Sequence, residues 1–275
     1  MAHTIPALFQ EQATRFGDRP LLWSKRSGAY QPISWTQAQQ DIHALAAYFL
    51  DTGVAVGDRI VVLCENRLEW ALADLAIQSA GAWTVPIYPS LTEPEVLPIL
   101  RSAEPVIAIA STADQLRKLR ALRSQIPSLR AVLCVEPSEV AAGESSWADA
   151  LAKGREALGR LGAQLAARVR ALQAEDIATL IYTSGTTGEP KGVMLSHRNF
   201  LANATAGLKA IPISSQDLHL SFLPLCHVFE RMAGWYLMLM AGASIAYAES
   251  MDTIPQNMGE IRPTIMLHGQ EHPAH

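Results

Sequence analysis

The sequence predicts an α/β protein built on a mostly parallel sheet flanked by helices. Three observations carry that prediction. Short apolar runs rich in β-branched residues recur along the chain, helix start and stop signals fall between them, and the composition suits a large buried core. Of 275 residues, 49% are hydrophobic and 17% charged, so one large domain or two ordinary ones can form without staples. Gly and Pro follow no period, which excludes a collagen-like or disordered chain. A formal net charge of −4 argues against a surface made for nucleic-acid phosphates. Cys64, Cys134 and Cys226 are too few and too scattered for a disulfide framework or a zinc site, which fits a reducing compartment.

The elements follow in order. Ile5, Leu8, Phe9 and Ala13 share one face of a short N-terminal helix. Ser34 and Gln37 have capping-box spacing, and Gly53 sits where that helix should stop. Asn66 and Glu69 repeat the spacing and open a helix through Trp70, Leu72, Leu75 and Ile77 to Gly81. Thr92 and Glu95 start a third helix ending near Ala103; Ser111 and Asp114 open a fourth, with Leu116, Leu119 and Leu122 on one face. Between them lie the runs 59–63, 84–87, 106–109 and 131–135, apolar almost throughout, as strands covered on both faces should be. Pro86 lacks an N–H to donate, so its strand is expected at an edge or to end early.

Residues 137–146 read as loop, and 147–172, rich in Ala, Leu and Arg, as one or two exposed helices. The chain therefore divides into a first α/β segment 1–136, a helical divider 137–175, a second α/β segment 176–267 and an unrelated-looking tail 268–275. No secretory signal is expected, since residues 1–20 show no basic segment followed by an apolar run. The longest apolar stretch, Trp235–Ala248, is 14 residues, short of the roughly 18 to 20 that cross a bilayer, and reads as a buried helix and strand. A soluble, cytoplasmic protein is expected, with peripheral membrane contact as the secondary reading.

A strand at 177–182 runs directly into Thr183-Ser-Gly-Thr-Thr-Gly-Glu-Pro-Lys-Gly192. Glycines there let backbone N–H groups converge, and four hydroxyls with one ammonium add donors, so the loop suits a polyphosphate. It is neither a Walker A loop nor Gly-x-Gly-x-x-Gly, because Gly188 precedes Glu189 and Lys191 precedes Gly192. The bland alternative is a flexible surface turn.

Tyr182–Gly192 followed by Ser196-His-Arg-Asn199 resembles the phosphate-binding signature of the AMP-forming acyl-adenylate synthetases, the superfamily of acyl-CoA ligases, luciferase and peptide-synthetase adenylation domains. Phe222-Leu-Pro-Leu-Cys-His-Val-Phe-Glu-Arg231 resembles the family's His-containing segment in its long-chain fatty-acid–CoA ligase form. Asn66–Trp70 through Gly81–Pro89 resembles the same subgroup. The resemblance implies the N-terminal portion of the large domain of an adenylate-forming enzyme. It implies an AMP-forming ligase that activates a long-chain fatty acid through acyl-AMP to acyl-CoA, with ATP, Mg²⁺ and coenzyme A. Thr183, Ser184, Gly185, Thr186, Thr187, Gly188 and Lys191 would then cradle the phosphates, with Thr183 reaching the metal. Lys191 and His227 would be the catalytic pair. The partners would be small molecules, without nucleic acid or a transmembrane segment.

Several neighbours have plainer readings. His227 alone reads as a core histidine bonded to backbone; the surrounding motif points instead to a place between nucleotide and acyl pockets. His227 with Glu230 has the spacing of a metal pair but lacks a second such pair. Glu230 and Arg231 read as a solvated or capping ion pair, and Cys226 as structural. Trp235–Met238 read as core or as an acyl-tunnel wall, and His197 as a helix-capping residue. Family members continue for about as long again, with the adenine and ribose contacts and a C-terminal lid domain that this sequence lacks. The departure at His268 is what a frameshift or early stop would produce, and this portion alone is expected to be inactive. The alternative is a non-catalytic nucleotide-binding module that needs a separate C-terminal half.

Overall fold

Two sheets organise the chain, and the helices sort onto their faces by the periodicity of the strands. The computed structural model describes residues 2–136, 140–183 and 190–267. Helix α1 (Ile5–Phe16) leads into a hairpin of β1 (Pro20–Arg26) and β2 (Ala29–Ser34), followed by α2 (Trp35–Asp51). Strands and helices then alternate: β3 (Arg59–Leu63), α3 (Leu68–Ser79), β4 (Trp83–Ile87), α4 (Glu93–Ala103), β5 (Ile107–Ala110), α5 (Ala113–Leu122) and β6 (Ala131–Cys134). A short β7 (Glu144–Ser146) and a long α6 (Trp147–Ala171) precede β8 (Ile177–Thr183), β9 (Lys191–Ser196) and α7 (His197–Ala210). The chain continues through β10 (Leu218–Ser221), a π-helical segment Glu230–Tyr236, α8 (Leu237–Ala241), β11 (Ser244–Tyr247) and α9 (Ile254–Ile261).

The larger sheet has the order β7-β6-β5-β3-β4-β8-β9, parallel throughout except for the antiparallel β9. Successive side chains of a strand point to opposite faces, and the core divides accordingly. Ile60, Val62, Ile107, Ile109 and Leu133 face α2, α3 and α6. Val61, Leu63, Val85, Ile87, Ala108 and Ala110 face α4 and α5. The smaller sheet, β10-β11-β1-β2, joins the first of these cores through Leu21, Leu22, Ile245 and Tyr247.

The capping boxes at Ser34 and Thr92 are present as the sequence predicts, and Leu116, Leu119 and Leu122 are buried along α5. Four local expectations need correction. Pro86 does not mark an edge: β4 lies between β3 and β8. It pairs along its whole length with β3 but meets β8 only at Thr84↔Thr179, so the missing N–H falls where no ladder is made. Asn66 does not cap α3. The N-cap is Arg67, without a side-chain bond, and the Asn66 amide is used elsewhere. Ser111 does not cap α5; Thr112 does, and Ser111 Oγ donates to Glu65. The 147–172 region is a single helix, one of the two readings, but it is not simply exposed. Trp147, Ala150, Leu151, Gly154, Ala157, Leu165 and Val169 form its buried stripe. It lies close against α2 at Gly154, where a Cβ would stand 1.9 Å from Ala44 O.

Candidate functional site

The parallel strands of the larger sheet all end on the same side, and the site is assembled there. Ligands of open α/β sheets bind outside the carboxyl ends of the strands, where loops expose backbone donors. On that edge Thr183 closes β8 and Lys191 opens β9, and the two are direct register partners. β8 and β9 thus pair as antiparallel strands up to these two residues, with a hydroxyl on one and an ammonium on the other. Both residues are exposed. Ser184, Gly185, Thr186, Thr187 and Gly188 lie outside the described residues. Gly192 belongs to β9 rather than to the loop. It faces Tyr182, and a Cβ there would stand 2.8 Å from Leu180 Cδ1 and 3.2 Å from Tyr182 Cζ. Its smallness admits these two side chains. Tyr182 in turn donates to Ser102 Oγ at 2.8 Å, anchoring this end of β8 to α4.

After Ser196 the chain enters α7, with Ser196 and Asn199 forming a full capping box. His197 is thus the first helical residue and not the cap. It is buried, its Nδ1 accepts the Ile5 N–H at 3.4 Å, and burial lowers its pKa to about 4.

His227 is exposed at the start of the turn that leads into the π-helical segment. Its Nδ1 accepts the Phe229 N–H at 3.2 Å, and its carbonyl accepts the Arg231 N–H at 3.1 Å. It is not a core histidine. Cys226, its neighbour, is buried, and burial pushes its thiol up to about 12, so it stays protonated and inert. A cleft of about 390 Å³ opens beside this turn, between the carboxyl ends of both sheets. Cys64, Tyr88, Phe222, Pro224, Cys226 and Met251 are among its walls. Asn66 holds the cleft together. Its Nδ2 donates to Leu223 O and Ser221 Oγ, and its Oδ1 accepts the Leu225 N–H at 2.8 Å.

Glu230 and Arg231 are the largest departure from the sequence reading. They form no solvated pair with each other; both are buried, and they face opposite walls. Glu230 Oε1 accepts from Ser221 Oγ at 2.7 Å and meets His219 Nε2 at 3.0 Å, both on β10. With Glu230 turned inward and His227 outward, the two do not share a ligand. Arg231 pairs with Asp74 of α3 and donates to Thr179 of β8 and to Tyr236 Oη. Asp74 accepts further bonds from Thr84 (2.8 Å), Gln78 (2.9 Å), Trp235 Nε1 (3.1 Å) and Tyr236 Oη (2.6 Å). Burial disfavours the guanidinium charge, but Asp74 and Tyr236 outweigh it and raise the Arg231 pKa. The sequence held one signal for this network. Asp74 is the lone charge in the apolar run from Trp70 to Ile77, and a buried acid needs partners.

Trp235, Tyr236, Leu237 and Met238 are buried in the main core, with Trp235 and Tyr236 turned to Asp74. Among the described residues no group of three or more His, Cys, Asp or Glu side chains is placed to hold a metal, and no helix is long and apolar enough to cross a membrane.

Comparison with known proteins bears on the same stretch of chain. The pattern of the AMP-binding enzyme family matches residues 9–268. The chain belongs to this family. Among curated relatives, the long-chain-fatty-acid–CoA ligase FadD15 of Mycobacterium tuberculosis is 32% identical over 246 residues, covering 87% of this chain and 39% of that protein. The long-chain-fatty-acid–CoA ligase ACSBG2 of Xenopus laevis is 29% identical over 273 residues, covering 96% and 36%. The chain thus spans about two fifths of the length of these relatives. Among solved structures, a long-chain-fatty-acid–CoA ligase, FadD1 of Archaeoglobus fulgidus, superposes with a TM-score of 0.79 at 22% identity, covering 96% of this chain and 51% of that one. ATP-bound MatB of Rhodopseudomonas palustris gives 0.73 at 22% identity, with 96% and 49% covered. The fold of this AMP-binding family member is accordingly that of the N-terminal portion of acyl-CoA ligases.

Proposed function

We propose that this chain is the nucleotide-holding portion of an AMP-forming ligase that converts a long-chain fatty acid to its CoA thioester through acyl-AMP. The observation that carries the reading is the Thr183↔Lys191 pair, which closes a Gly/Ser/Thr loop at the carboxyl edge of the parallel sheet. A carboxylate is a poor electrophile, and conversion to a mixed anhydride with AMP gives it a good leaving group. The residues present would act by holding charge. Lys191 and the N–H groups of 184–188 would neutralise the β- and γ-phosphates as pyrophosphate departs, which is the main demand of such a step. His227, exposed and next in sequence to Cys226, which lines the 390 Å³ cleft, would orient the carboxylate entering it. Thr183 offers a hard oxygen of the kind Mg²⁺ accepts. With no acidic cluster among the described residues, most of that ion's ligands would come from the phosphates. Mg²⁺ supplies charge neutralisation on the triphosphate, and coenzyme A the thiol that finally takes the acyl group.

The test is fatty-acid-dependent ATP–pyrophosphate exchange, run on this chain alone and on this chain mixed with the part of FadD15 that follows the matched region. Exchange is expected in the mixture and not with the chain alone, and on addition of coenzyme A the nucleotide released should be AMP rather than ADP. Lys191→Ala should slow exchange about 10²-fold, the effect of losing one charge-stabilising donor. Release of ADP, or exchange untouched by Lys191→Ala, would refute the reading. The second reading, a module dependent on a separate C-terminal half, shares the first outcome. It gains if the two parts copurify.

A further inference from the structure

Two buried ionisable side chains follow the His227 turn immediately, and neither is needed to touch a substrate. Adjacent residues on a helix leave it about 100° apart, so Glu230 and Arg231 can reach different walls. Glu230 goes to Ser221 and His219 of β10, in the smaller sheet. Arg231 goes to Thr179 of β8 and Asp74 of α3, on the larger one. The backbone of Arg231 is bonded to the carbonyl of His227 itself, at 3.1 Å. Thr179 lies on the same strand as Thr183, one foot of the phosphate loop. A continuous set of bonds thus runs from the His227 turn through Arg231 to the strand that carries the loop. The π-helical widening begins at Glu230, and such irregular turns persist where side chains must be aimed. Gly234 makes room for it, since a Cβ there would stand 2.3 Å from Glu230 Oε1.

We propose that Arg231, with Glu230 as its counterpart on the other sheet, is a positioning residue that sets the His227 turn relative to the phosphate-loop strand. The assignment rests on reading His227 as a site residue. The physical claim, that these two side chains hold the turn, can be tested without any activity. Ordinary core residues support the whole fold; a positioning pair should matter first to residues 225–231.

The experiment is amide hydrogen exchange on the 275-residue chain, comparing Arg231→Met, Arg231→Lys and Glu230→Gln with Leu119→Ala. Leu119 is buried in α5, within the other hydrophobic core, and its truncation provides a general loss of stability away from the turn. Data are compared at temperatures equally far below each variant's melting point. We expect residues 225–231 to exchange at least tenfold faster in Arg231→Met and Glu230→Gln than in Leu119→Ala. Arg231→Lys, which keeps the charge toward Asp74 but loses the fork to Thr179, should fall between. If Arg231→Met does not fold, Glu230→Gln and Arg231→Lys carry the comparison. Equal exchange over 225–231 in these variants and in Leu119→Ala would overturn the proposal, whatever the pyrophosphate-exchange result.

Discussion

Arg231→Met is the most informative single change to the core. Methionine keeps much of the length and removes the charge, so the fully buried Asp74 loses its guanidinium partner. Breaking a buried ion pair by removing one partner costs about 3–5 kcal/mol. Asp74 keeps its bonds from Gln78, Thr84, Trp235 and Tyr236, which places the expected loss at the lower end, about 3 kcal/mol. That is a large part of the ~5–15 kcal/mol typical of a domain. Removing the unpartnered carboxyl as well, in Arg231→Met/Asp74→Asn, should recover about 1–2 kcal/mol of it, because the two sites are in direct contact and do not add. Urea unfolding followed by circular dichroism reads all three variants. A loss below about 1 kcal/mol for Arg231→Met, or strictly additive losses, would refute the view of this pair as a charge-coupled tie between α3, β8 and the His227 turn.

Other consequences follow from single positions. Gly154→Ala should destabilise by about 1–3 kcal/mol, since its Cβ would stand 1.9 Å from Ala44 O. Gly162→Ala, on the same helix and facing open space, should stabilise by about 0.5–1 kcal/mol, and thermal melts distinguish the two. His197 has a folded pKa of about 4 against an ordinary 6.5, so only the unfolded chain takes up its proton between those values. Its contribution is complete above pH 6.5 and is lost as pH falls toward 4, about 2 kcal/mol between pH 7 and pH 5. Urea titrations at the two pH values should show that much less dependence in His197→Gln. At pH 8 iodoacetamide should label native Cys226 about 10³-fold more slowly than the unfolded chain, given a thiol pushed up to about 12 and buried. Mass spectrometry of the labelled peptide checks it.

The parallel sheet was legible because its strands are apolar on both faces and its helices carry caps, as at Ser34 and Thr92. The β1–β2 hairpin was not, because Pro20–Ser34 is mostly exposed or half-exposed and lacks alternation. Pro86 misled because local chemistry cannot reveal which neighbour a strand leaves unpaired. Asn66 misled for a related reason: its spacing to Glu69 is that of a cap, but its amide meets residues more than 150 positions away. Long-range partners are invisible to local patterns, and the same holds for Glu230 and Arg231, adjacent in sequence and bonded to different sheets. Thr183 and Lys191 were singled out by the composition of the stretch between them, and His227 by the motif around it; that the first two are register partners and the third is exposed was not readable from the sequence. Their geometric setting came only with the fold.

The claim at the centre is that the turn between β8 and β9 grips the outer phosphates of a nucleotide. Phosphorus NMR of MgATP titrated with this chain reads that contact directly and tolerates weak binding. The β- and γ-phosphorus resonances should shift and broaden well beyond the adenine protons, and Lys191→Ala should abolish most of the change. Equal perturbation by the wild-type and Lys191→Ala chains, or perturbation of the adenine alone, would contradict it.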